Sequence, residues 1–192
     1  MLREIFSESF RNRTIAEVAL ERAHEEPDLE IIFHADEPAI TIASIVEEAK
    51  RLADSLRRLG LVAGDVISFQ LPSWREAISI DLAASMLGLV VNPIIPIYRE
   101  KELKFILRDA NTRLIFTPER FRSIDYPEMI ATIQPSLPKL EHIIVVRGDE
   151  NSGQLNYEEL IRSSDGEGPL AGVKADDLKV LMYTSGTTGI PK

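Results

Sequence analysis

Asp65-Val-Ile-Ser-Phe-Gln-Leu71 alternates apolar and polar positions as a strand does, and Leu89-Val-Val-Asn-Pro-Ile-Ile95 is a short apolar run suited to a buried strand. Between them Pro72-Ser73 leads into a helical stretch from Trp74 to Leu87, with Ser73 and Glu76 at capping-box spacing and Gly88 as its stop. Strand, helix and strand joined by short connections form the unit of a parallel sheet, whose crossovers are right-handed.

The flanking sequence repeats the alternation. Upstream, Ile42, Ile45, Val46, Ala49, Leu52, Ala53, Leu56 and Leu59 fall on one helical stripe, with Thr41 as N-cap, a Glu47–Arg51 pair at i,i+4 and Gly60 as the left-handed stop. Before that, Thr14-Ile-Ala-Glu17 reads as a capping box opening a helix to about His24, and Ile31–Phe33 and Ala39–Thr41 read as strand fragments. Downstream come a helix around Glu100–Asp109, a strand Arg113–Thr117, a helix within Pro127–Leu137, a strand His142–Val146 and a short helix Tyr157–Arg162. Leu178–Tyr183 reads as a further strand. The expected class is α/β, a mostly parallel sheet with helices on both faces.

Composition narrows the function classes. Of 192 residues, 44% are hydrophobic and 28% charged, as in an ordinary globular chain, and 22 Lys plus Arg against 31 Asp plus Glu give a net charge of −9. General attraction to nucleic-acid phosphates needs clustered basic residues, so a nucleic-acid partner is not expected. The absence of cysteine excludes a disulfide framework, a cysteine nucleophile and a thiolate metal site, and makes the cytoplasm the default compartment. Residues 1–10 do not read as a secretory signal, and Asp81, Asn92, Pro93 and Pro96 interrupt the most apolar region, so no transmembrane segment is expected.

One segment carries chemistry. After Tyr183 the chain continues Thr184-Ser-Gly-Thr-Thr-Gly-Ile-Pro-Lys192. Gly186 and Gly189 lack Cβ atoms and let backbone amides approach a phosphate; Thr184, Ser185, Thr187 and Thr188 add hydroxyl donors, and Lys192 adds a mobile positive charge. It is not a Walker A loop, because Ile190 and Pro191 separate the last glycine from the lysine. From composition alone, a flexible surface turn ending in lysine is the bland alternative.

The order Tyr183-Thr-Ser-Gly-Thr-Thr-Gly-Ile-Pro-Lys192 resembles the phosphate-binding signature of the adenylate-forming superfamily, which includes acyl-CoA synthetases, peptide-synthetase adenylation domains and luciferases. Gly64-Asp65-Val66, Leu71-Pro72-Ser73-Trp74, Val91-Asn92-Pro93, Tyr98-Arg-Glu-Lys-Glu-Leu103 and Ile106-Leu-Arg-Asp109 extend the resemblance over nearly the whole chain, and Thr187-Thr188 is similar to the acyl-CoA synthetase branch. Arg120-Phe-Arg-Ser-Ile-Asp-Tyr126 resembles the group named for cyclohexanecarboxylate-CoA ligases.

The resemblance implies a two-step ligase. A carboxylic acid attacks the α-phosphate of ATP to give an acyl-adenylate and pyrophosphate, and the thiol of coenzyme A then displaces AMP. By position, Thr184, Ser185, Gly186, Thr187, Thr188, Gly189 and Lys192 are the nucleotide contacts, while Tyr183 ends the strand. No catalytic side chain and no metal ligand is expected within the chain; Mg²⁺ would be held elsewhere. Superfamily members continue past the residue matching Lys192, so residues 1–192 read as the N-terminal part of an adenylation domain cut within its phosphate loop at 183–192. Such a part is expected to be inactive in ligation and prone to aggregate. Two alternatives are a carrier-protein-loading adenylation domain and a non-catalytic phosphate-binding remnant.

Other residues receive plainer readings. His24, His34 and His142 are scattered and suggest no metal site. Trp74 is expected to be a core or partly buried aromatic, Glu25–Glu30 a solvated acidic turn, and Asn92-Pro93 a turn at a strand end or a ligand-facing loop.

Overall fold

The computed structural model describes residues 12–32, 38–149 and 154–184. In chain order the elements are α1 (Ile15–Glu25), β1 (Glu30–Ile32), β2 (Ile40–Thr41), α2 (Ile42–Arg58), β3 (Val66–Phe69), α3 (Glu76–Leu87), β4 (Val90–Pro93), α4 (Glu100–Asp109), β5 (Leu114–Pro118), β6 (Arg120–Phe121), β7 (Ile124–Asp125), α5 (Tyr126–Ile133), β8 (His142–Val146), β9 (Leu155–Asn156) and α6 (Tyr157–Arg162). A 3-10 turn, Gln134–Ser136, follows α5.

The central sheet has the order β4-β3-β5-β8-β9, and every pairing in it is parallel. Side chains alternate between its two faces. Ile67, Val91, Leu114, Phe116, Ile144 and Val146 pack with α1, α2, α3 and α6 in one core. Ile115 packs with α4 and α5 in the other, through Leu103, Ile106, Leu107, Tyr126, Met129, Ile130 and Ile133. Helices therefore cover both faces, as the sequence predicts, and β5 is buried along its whole length. Burying a side chain such as Ile45, Leu52 or Leu56 on α2 contributes about 1.5–3 kcal/mol each. Among the described residues no helix is long and apolar enough to cross a membrane.

Local signals locate several boundaries. The Thr14 hydroxyl accepts the Glu17 amide at 3.1 Å while Glu17 reaches back to the Thr14 amide at 2.7 Å, completing the expected capping box. Thr41 caps α2, and α6 runs over Tyr157–Arg162 as read. Gly88 ends α3 with φ +69°, and a Cβ there would meet Ala63 Cβ at 3.1 Å and Val173 Cγ2 at 3.2 Å, so both backbone and space call for glycine.

Four readings need correction or extension. Ser73 and Glu76 form no capping box: α3 starts at Glu76, its N-cap is Arg75, and no side chain caps it. Glu76 is buried and accepts Arg147 Nε at 2.8 Å and Nη2 at 3.1 Å, so a partner 71 positions away has taken the carboxylate. Leu178–Tyr183 is not a strand but an extended strap bound to β4 by one parallel bridge, Val91 to Val180. Among the described residues the fragments before α2 pair only with each other, β1 antiparallel to β2, and Phe33 of the first lies outside the described residues. The β6–β7 hairpin and β9 are additions, being two-residue strands too short to show a period.

Candidate functional site

The strap runs parallel to β4, with the Val91 amide donating to the Lys179 carbonyl at 2.8 Å and the Leu181 amide to the Val91 carbonyl at 2.9 Å. A parallel neighbour ends at the same edge as its partner, so Tyr183 and Thr184 arrive at the carboxyl edge of the sheet. The chain leaves β3 for α3 on one face, but leaves the adjacent β4 and β5 for α4 and α5 on the other. Divergence of neighbouring connections to opposite faces opens a crevice at the strand ends, where open α/β sheets bind ligands.

A crevice of about 750 Å³ lies there, walled by the residues after β3, β4 and β5 and closed on one side by Met182 and Tyr183 of the strap. Its lining is mainly apolar, from Phe69 and Leu71 through Ile94–Ile97 to Phe121 and Tyr126, with Ser73, Arg99 and Arg122 as polar members. The loop after β4 is held by side chains. Gln70 Nε2 donates to the Ile95 and Tyr98 carbonyls at 3.2 and 3.0 Å, Arg99 Nη1 to Pro96 and Tyr98 at 2.7 and 2.9 Å, and the Tyr126 hydroxyl to Pro96 at 3.0 Å. Satisfying these carbonyls internally fixes the crevice wall without a ladder.

An ionic and aromatic stack supports the other side. Arg122, in the left-handed region at φ 56°, lies 5.5 Å over the Phe121 ring; Phe121 meets Trp74 edge-on at 6.4 Å; the Arg147 guanidinium sits 4.4 Å over Trp74. Trp74 is half-buried, within the expected reading. Behind Arg147 and Glu76, Arg75 pairs with Glu48, and the Tyr157 hydroxyl donates to Glu48 at 2.6 Å. Burial, reinforced by Glu48, raises the Tyr157 phenol well above its ordinary value, so it stays a neutral donor.

The strap has its own anchors. Lys179 Nζ donates to Asp81 Oδ1 and Ser85 Oγ on α3, both at 2.7 Å. The Tyr183 hydroxyl donates to Asp109 Oδ2 on α4 at 2.6 Å, with the ring edge-on to Phe105 at 6.4 Å. Burial and then Asp109 raise the Tyr183 phenol above its usual range.

Of the residues expected to contact nucleotide, Thr184 is described and is exposed at the end of the strap. Ser185, Gly186, Thr187, Thr188, Gly189 and Lys192 lie outside the described residues. Among the described residues no three His, Cys, Asp or Glu side chains gather as a metal site, and Mg²⁺ has no candidate ligand set there. His24 and His142 take part in no such group, and His34 is outside the described residues. Sequence reasoning missed the crevice, whose walls come from three separate connections; the trace it left was Asn92-Pro93 at a strand end. Asn92 itself is fully buried within β4 and donates to Ser68 Oγ on β3 at 2.9 Å, so its side chain ties two neighbouring strands together.

A family profile described as AMP-binding enzyme matches residues 20–192. The medium-chain fatty-acid–CoA ligase of Escherichia coli (strain K12) is 28% identical over 180 residues, covering 93% of this chain and 32% of that protein. The sulfoacetate–CoA ligase of Cupriavidus necator is 32% identical over 183 residues, covering 93% and 34%. The chain thus spans about a third of the length of these curated relatives. Among solved structures, acetoacetyl-CoA synthetase from Streptomyces lividans superposes with a TM-score of 0.82 at 26% identity over 94% of this chain and 30% of that one. An anthranilate CoA ligase in complex with anthranoyl-AMP gives 0.84 at 24% identity, over 94% and 34%, a likeness of fold.

Proposed function

The chain belongs to the AMP-binding enzyme family, and from that premise we propose that it supplies the phosphate-holding loop of an ATP-dependent carboxylic acid–CoA ligase that works through an acyl-adenylate. The observation that carries the reading is the delivery of Thr184 to the carboxyl edge of the sheet, immediately before Ser185-Gly-Thr-Thr-Gly-Ile-Pro-Lys192. The curated relatives are named for acids as different as sulfoacetate and medium-chain fatty acids, so the shared chemistry is joining a carboxylate to coenzyme A.

In this reading the amides at Gly186 and Gly189, the hydroxyls of Thr184, Ser185, Thr187 and Thr188, and the Lys192 ammonium hold the β- and γ-phosphates of ATP. Holding them orients pyrophosphate as the leaving group while the carboxylate attacks the α-phosphorus, and offsets the charge that develops on it. No side chain in the chain is assigned a proton transfer or a nucleophilic attack. Residues 1–192 form the N-terminal part of the adenylation domain, and by themselves they bind nucleotide phosphates without turning over.

Calorimetric titration of MgATP and pyrophosphate into the chain tests this. Saturable binding that Lys192→Ala weakens about tenfold, on the order of 1.4 kcal/mol, is expected. Binding indifferent to Lys192 would overturn the loop assignment, and robust carboxylate-dependent ATP–pyrophosphate exchange by the 192 residues alone would overturn the binding-only part.

A further inference from the structure

The described ladder bonds between the strap and β4 end at the Leu181 amide, three residues before Thr184. Beyond that point Tyr183 attaches the strap to α4, through the 2.6 Å bond to Asp109 and the ring contact with Phe105. Asp109 is the last residue of α4, where the helix dipole places negative charge and a carboxylate is disfavoured. An anion at this position weakens the helix it terminates, so its use lies in an outside contact. The short bond to the Tyr183 hydroxyl, a charge-assisted one, is that contact.

We propose that Tyr183 and Asp109 are positioning residues for the phosphate loop, Asp109 acting through Tyr183 to fix the direction in which the chain enters Thr184. The inference rests on the phosphate-holding reading of Thr184–Lys192. A phosphate cradle needs its amides and hydroxyls aimed within a fraction of an ångström, and a pivot one residue upstream propagates through all of them. Burial and Asp109 together keep the phenol protonated, so the donor persists through neutral and mildly alkaline pH.

The test is a double-mutant cycle read by calorimetric titration of MgATP into the full chain, with thermal unfolding of each variant alongside. Tyr183→Phe keeps the ring against Phe105 and removes the donor; about tenfold weaker ATP binding is expected, with a thermal midpoint within a few degrees of the unsubstituted chain. Asp109→Ala should match it, Asp109→Asn, which retains an amide oxygen as acceptor, should stay within about threefold, and Tyr183→Phe combined with Asp109→Ala should be no worse than either alone. ATP binding unchanged in Tyr183→Phe, additive losses in the pair, or losses that track the thermal midpoint would each overturn the proposal. Absence of ATP binding by the unsubstituted chain would instead sink the phosphate-loop reading, and this inference with it.

Discussion

The middle of the sheet and its strap edge are held in opposite ways. Strand β5 lies between β3 and β8, pairs with β8 along its whole length and with β3 over Leu114–Phe116, and buries all five of its residues beneath helices on either face. The strap touches β4 at one bridge, leaves Leu178 and Met182 62% and 73% exposed, and is fixed by the Lys179 and Tyr183 side chains. Hydrophobic burial secures the middle, whereas a few directional polar contacts aim the edge. If the strap leads into a phosphate-holding loop as proposed, its place at the low-stability end of the fold lets that loop adapt to what it binds without unfolding the rest.

The sharpest way to break this contrast is Phe116→Ala in β5. Phe116 is fully buried and meets Tyr157 edge-on at 6.3 Å, so the cavity should cost about 3–5 kcal/mol in denaturant unfolding. A cost below about 1 kcal/mol would mean that the middle is not the stability centre.

Asp54 on α2 gives an intermediate and pH-dependent effect. Burial alone would raise its carboxyl, but the Ser164 hydroxyl at 2.8 Å and the guanidiniums of Arg57 at 2.6 Å and Arg58 at 2.5 Å outweigh burial and hold it below the usual carboxylate range. A depressed folded-state value contributes stability that is complete above the ordinary carboxylate value of about 4 and is lost as pH falls through the folded value. Urea midpoints should therefore fall as pH drops below about 4, and fall less steeply in Asp54→Asn; parallel slopes would remove Asp54 from the acid response.

The smallest expected effect is Lys179→Ala at the edge. Its partner Asp81 is partly exposed, so the change in global stability should be at most about 1 kcal/mol. Amide exchange at Leu181, which bonds the Val91 carbonyl, should nevertheless quicken well before exchange in β5 does. A global loss as large as that of Phe116→Ala would join the strap to the core and erase the contrast.

Much of the fold was legible where neighbours in sequence decide it. The α2 stripe, the Thr14–Glu17 capping box and the bounds of β8 and α6 depend on contacts within one or two turns or one strand, and local rules recover them. The Ser73–Glu76 box has the same local signal and failed, because the Glu76 carboxylate found a stronger, charge-assisted partner in Arg147. Leu178–Tyr183 has a strand's composition yet makes one bridge, because β-structure requires a ladder and only three-dimensional pairing supplies one.

By itself the sequence determined the α/β class, the stripe of α2 and the Thr14 and Thr41 caps, and it set glycines, hydroxyls and a lysine side by side in Thr184–Lys192, because periodicity, local capping and residue order are properties of adjacent residues. Tertiary structure alone decided the order β4-β3-β5-β8-β9, the crevice walled by three separate connections, the Glu76–Arg147 pair, and the Lys179 and Tyr183 anchors. Each of these joins groups far apart in the chain, and such groups meet only after burial of the two cores has fixed which strands are neighbours.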